Sequence, residues 1–198
     1  DDNWSTAANW GGTAPALSGD AVVFAGNTRL TPSMNNSYSV SSLSFSAGAG
    51  AFTIGRPGSE TLTVSSSAGI TNLSSSLQTL NVPVALTGTG GNVDVGSGGM
   101  VIDGAVSGTQ GLTKKGSGVL TLQGSDANTF TGTVNVNAGK LVLNKPDGVN
   151  AVGGTAITIA GSSTVVRQDA DDQLANGLNL TLAGGGKYDL YDNSETIL

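Results

Sequence analysis

The chain has 198 residues, 31 of them glycine, with no cysteine and no histidine, so disulfides, thiolate metal sites and imidazole-based catalysis are excluded. Its net charge is −6 and only 11% of its residues are charged, which leaves no basic patch for nucleic acid or an anionic membrane surface. No apolar run approaches the ~18–20 residues of a helical membrane span, so no membrane insertion is expected of this segment.

Glycine-rich, weakly charged chains are often disordered. Here 37% of residues are hydrophobic and they recur in alternation, which argues for packed strands instead. Helical spacing is not sustained anywhere. The fold class read from the sequence is all-β. The length fits one domain or part of a longer repetitive protein. The start at Asp1 and the end at Ile197-Leu198, inside what reads as a strand, point to a piece of something longer.

Residues 1–30 differ from the rest. They hold both tryptophans, Trp4 and Trp10, followed by Pro15, Gly19-Asp20 and the apolar Val22-Val23-Phe24. From Tyr38 strands follow in quick succession: Val40 to Phe45, Phe52 to Ile54 and Leu62 to Val64. The alternation continues at Leu80, Val82, Val84 and Leu86. Pro83 falls on the opposite face and lacks an N–H, which marks a strand edge, bend or corner. Val93 and Val95, Met100 to Ile102, and Val106 come next.

The organising stretch runs from Gly111 to Leu143. Leu120 and Leu122, Val134 and Val136, and Leu141 and Leu143 form three period-two runs, so each pair faces a core and the residues between face water. Gly111-Leu112-Thr113-Lys114, Gly116-Ser117-Gly118, Leu120-Thr121-Leu122, Asn128-Thr129-Phe130-Thr131-Gly132 and Val136-Asn137-Ala138-Gly139-Lys140-Leu141 stand in the order of a known repeat. This stretch resembles the autotransporter-associated β-strand repeat of large bacterial surface and secreted proteins. Phe130 stands where that repeat usually has tyrosine, and Ser125-Asp126 reads as a small insertion. The resemblance implies a right-handed parallel β-helix of passenger type, at the cell surface or outside the cell, with no catalytic residue to carry over. Lys114, at the repeat's lysine step, is expected on the outer face.

Leu112 and Val134 stand 22 residues apart, close to one coil of a three-sided solenoid. A second unit begins near Asn150, with Ile157 and Ile159, Val165-Val166, then Leu178, Leu180 and Leu182; residues 144–154 and 167–177 read as loop excursions. On this reading 1–30 is an N-terminal capping segment and 31–198 forms the coils. A solenoid's first coil needs closing, so Trp4, Trp10 and Phe24 are expected to cover that end. The alternative is that the same aromatics form a platform for sugar rings.

Candidate chemistry is sparse. Asp169, Asp171 and Asp172 form the densest acidic cluster, yet their spacing fits neither an EF-hand loop nor a calcium β-roll. They are weak metal candidates, with a solvated loop as the simpler reading, and no cofactor is expected. Asp189-Leu190-Tyr191-Asp192 reads as strand alternation near a turn. Glu60 and Glu195, the only glutamates, have no carboxylate partner in sequence. The expected function is a non-enzymatic structural or adhesive segment whose partners are neighbouring coils, other copies stacked end to end, or a glycan or surface ligand. The alternative is a polysaccharide-binding or polysaccharide-cleaving β-helix.

Overall fold

A computed structural model describes residues 1–196. Apart from one 3₁₀ turn at Ala7–Trp10, all its regular structure is strand. In chain order, β1 (Ala21–Phe24) opens the stack. β2 (Tyr38–Phe45) and β3 (Thr53–Ile54) form the next coil, and β4 (Leu62–Asn72) and β5 (Gln78–Leu80) the one after. β6 (Val84–Leu86), β7 (Asn92–Val95) and β8 (Met100–Ile102) are followed by β9 (Val106–Gly108), β10 (Leu112–Lys115) and β11 (Val119–Gln123). Two-strand coils complete the chain: β12 (Val134–Val136) with β13 (Lys140–Asn144), β14 (Ala156–Ala160) with β15 (Val165–Gln168), and β16 (Asn179–Ala183) with β17 (Lys187–Asp189).

All strand pairing is parallel, between equivalent strands of successive coils, because a full coil of chain separates each strand from its partner. One wall runs through eight successive rungs, β1-β2-β4-β7-β10-β12-β14-β16, and a second through β3-β5-β8-β11-β13-β15-β17. The third wall is β6 and β9 stacked on the first half of β4. It continues irregularly, with a single bridge between Val152 and Leu174. Residues 144–154 and most of 167–177 are therefore this third side rather than excursions, and Ala151, Val152 and Leu174 are buried there. The fold is a parallel β-solenoid.

Register makes the core. Leu112 stacks on Val134, which confirms the 22-residue coil. One inward column reads Val22, Leu43, Ile70, Val93, Lys114, Val136, Ile159, Leu182. A second reads Gln78, Met100, Leu120, Leu141, Val166, Tyr188. Each fully buried aliphatic side chain in such a column contributes about 1.5–3 kcal/mol before the cost of ordering it. Lys114 is a correction: it sits in the aliphatic column, fully buried, and not on the outer face. Leu182, read as inward, is 54% exposed because no described strand lies beyond β16.

Corners are tight because consecutive coils lie one strand spacing apart, about 4.8 Å. A Cβ on Gly111 would lie 1.8 Å from the Thr133 carbonyl oxygen of the coil above. Gly124 combines a φ of 91° with a virtual Cβ 1.8 Å from the Asp103 oxygen. Only glycine fits such positions. The long strand β4 bends where its register against β2 shifts between Val40 and Ser42.

Candidate functional sites

Three places hold the chemistry-bearing side chains. The first is the N-terminal end. Trp4 is fully buried and its ring centroid lies 5.7 Å from Trp10, 5.5 Å from Phe24 and 5.0 Å from Tyr38. Phe24 stacks on Phe45 of the next coil at 5.4 Å. The three aromatics singled out in the sequence are thus brought together over the first coil. The 3₁₀ turn places Trp10, whose Nε1 donates to the Trp4 carbonyl at 2.8 Å. Trp4 and Phe24 have almost no surface to offer a ligand, whereas Trp10 is half-buried. A cleft of about 310 Å³ opens beside them, lined among others by Asp2, Asn9, Trp10, Val23, Thr28 and Arg29.

The second place is interior. Lys114 Nζ donates to the carbonyls of Lys115, Gly116 and Ala138 at 2.7, 2.8 and 3.2 Å. Two of these belong to its own turn and one to the turn of the next coil. Burial lowers its pKa to about 8, with Asp94 opposing. Lys145, also buried, donates to the Gln123 carbonyl at 2.7 Å and has its pKa lowered mainly by burial. The sequence carried a signal for Lys114: it stands two residues after Leu112 in an alternating run, on the inward side. Its charge masked that signal.

The third place is the acidic C-terminal end. Asp169 pairs with Arg167 at 2.5 Å, and Arg167 lies 4.5 Å over the Tyr191 ring. Asp171 Oδ1 accepts the Ser194 N–H at 2.7 Å, and Asp172 Oδ1 accepts the Thr196 N–H at 3.0 Å. Asp147 Oδ1 accepts the Asp171 N–H in the same way, one coil earlier, at 3.1 Å. Of the carboxylates read as weak metal candidates, Asp171 and Asp172 are therefore spent on backbone donors of the following coil and Asp169 on Arg167. Among the described residues no group of three or more carboxylates is placed to hold a metal ion. Asp189 ends β17, while Tyr191 and Asp192 lie beyond it at φ 45° and 66°, so this segment turns rather than alternates.

Around that turn lies a partly buried polar cluster that the sequence reading missed. Glu195 Oε2 accepts the N–H groups of Gln173 and Leu174 at 2.9 and 3.0 Å. The Tyr188 hydroxyl donates to Gln168 Oε1. Burial raises the pKa of Tyr188 and of Glu195, and Asp172 adds to the Glu195 rise. These residues meet only because the coils bring positions some 20 apart into register, which single-chain spacing does not display. Ile197 and Leu198, expected to form a strand edge, lie outside the described residues, and residues 193–196 are not strand.

No curated protein and no solved structure matches the chain. Residues 112–143 match the family described as the passenger-associated-transport-repeat. That match covers β10 to β13, the two coils in which Leu112 stacks on Val134 and Leu120 on Leu141. The chain carries a passenger-associated-transport-repeat set within a parallel β-solenoid.

Proposed function

We propose that this chain is a non-enzymatic, passenger-type structural segment of a larger bacterial protein, secreted or held at the cell surface. The observation that carries the reading is one core running through eight rungs, with the repeat within it. A stack of this kind transmits position along its axis and presents walls whose outward rows are rich in Thr, Ser and Asn, with Val101, Val142, Arg167 and Asp189 on the second wall. It serves as a spacer, a display scaffold or an adhesive surface.

The two ends differ. β1 and β3 at one end of the walls and β16 and β17 at the other each lack a strand on one side among the described residues, and the aromatic cluster packs over the first coil. Leu182, Leu190 and Tyr191 are exposed at the C-terminal end. Unpaired edges of this kind recruit strands. This supports a further coil at the C-terminal end, supplied by a longer chain or by another copy. Light scattering over a concentration series tests the second supply: the average mass should rise with concentration, and a strictly monomeric species at ~100 µM would count against association of copies at that edge. Incubation with bacterial and plant polysaccharides should release no product; release would favour the polysaccharide-cleaving alternative.

A further inference from the structure

The cleft beside the N-terminal cap has features that closing the core does not require. Among the described residues Arg29 is one of four non-glycine residues held at positive φ, here 51°. Holding a long side chain in that region is strained. The conformation carries the guanidinium across to the Asp1 carbonyl and to Asp2 Oδ1, the latter at 3.3 Å. Both side chains stay open to solvent, 55% and 41% exposed. An ion pair that exposed is heavily screened and contributes little against the strain. Strain of this sort is characteristic of ligand clamps.

The wall opposite is aromatic and preset. The Trp10 indole N–H is already committed to the Trp4 carbonyl, which fixes the ring. Val23, on the outward side of β1, is 54% exposed and lines the same cleft. The volume of about 310 Å³ lies at the lower end of the ~300–1,000 Å³ typical of ligand sites. Its two charged lining side chains, Asp2 and Arg29, cancel. The ligand that fits is therefore neutral, has one apolar face, and carries adjacent groups that both donate and accept hydrogen bonds.

We propose that this cleft binds one residue of a neutral saccharide. The C–H face of the pyranose lies against Trp10 and Val23, and neighbouring hydroxyls donate to the Asp2 carboxylate and accept from the Arg29 guanidinium. An acidic sugar or a phosphate would meet Asp2, and a cationic ligand would meet Arg29. The site goes beyond the structural role and does not depend on it.

Trp4 and Trp10 are the only tryptophans in the chain, so their emission reports on this site. The 198-residue chain is titrated with methyl glycosides of glucose, galactose, mannose and N-acetylglucosamine, with glucuronic acid and inorganic phosphate as charged probes. At least one neutral glycoside should give a saturable change with a millimolar dissociation constant. Arg29→Gly suits the backbone at φ 51°, so it should keep or raise the melting temperature while weakening that binding about tenfold or more. Asp2→Asn should weaken it too. The proposal is overturned if no neutral glycoside gives saturation up to ~50 mM, if Arg29→Gly binds like the parent, or if phosphate or glucuronic acid binds more tightly than every neutral sugar.

Discussion

Lys114 is the residue at which the chemistry of the interior is clearest. An ammonium inside an aliphatic column is unfavourable unless every N–H finds an acceptor, and here three carbonyls supply them. One of the three belongs to the next coil, so the side chain ties two coils at a corner. Lys114→Ala should cost about 2–4 kcal/mol, read by urea unfolding, because it leaves a cavity and three unpaired carbonyls. Lys114→Met fills the volume without the donors and should cost less.

The same residue sets a pH dependence. Its pKa is about 8 in the folded chain against 10.5 for the free side chain. Below pH 8 both states hold the proton and the burial penalty is constant. Between 8 and 10.5 the unfolded chain still binds a proton that the folded one has lost, so stability rises with pH, by an amount on the order of 2 kcal/mol. Lys145 is shifted the same way. Tyr188 acts oppositely: its raised pKa means that the unfolded phenol ionises first, near pH 10.0, and stability falls above that. Stability should therefore peak just above pH 10, where the loss at Tyr188 overtakes the gain at the lysines, and the rise from pH 8 should shrink markedly in Lys114→Met.

At the scale of the element, what matters is how corners and edges are closed. Gly111 turns a corner against the backbone of the coil above, and a backbone oxygen cannot step aside. Gly111→Ala should cost more than about 2 kcal/mol. Gly48, with nothing within 4 Å of a virtual Cβ and no positive φ, should accept alanine almost without effect. Thermal melts of the two variants give the comparison. In the acidic segment, Asp171→Asn and Asp172→Asn keep an acceptor oxygen for the Ser194 and Thr196 N–H groups and should stay within a few degrees of the parent. The alanine versions lose those bonds and should each cost about 0.5–1.5 kcal/mol. Millimolar Ca²⁺ should not shift the melting temperature, since a ligand bound only by the folded state would raise it.

Strands were legible because period-two alternation is a local property: Leu120 with Leu122, Val134 with Val136 and Ile157 with Ile159 all face inward. The corner at Pro83 was legible for the same reason, since a missing N–H is written in the residue itself. The Glu195, Tyr188 and Gln168 cluster was not, because its members are joined only by the stacking of coils. Lys114 was misread because charge outweighed alternation. In this column, position decided and the carbonyls of the turn met the charge.

For the whole molecule, the central claim is a solenoid in which one register stacks inward side chains in columns from coil to coil. Stability is then cooperative between neighbours, because each coil buries the face of the next. The test is urea unfolding of Leu120→Asp against Thr121→Asp. Leu120 is fully buried between Met100 and Leu141, whereas Thr121 lies one position along on the outer side. The account predicts a loss of more than about 3 kcal/mol for Leu120→Asp, with several coils unfolding, and about 1 kcal/mol or less for Thr121→Asp. Equal losses would contradict the register and, with it, the solenoid.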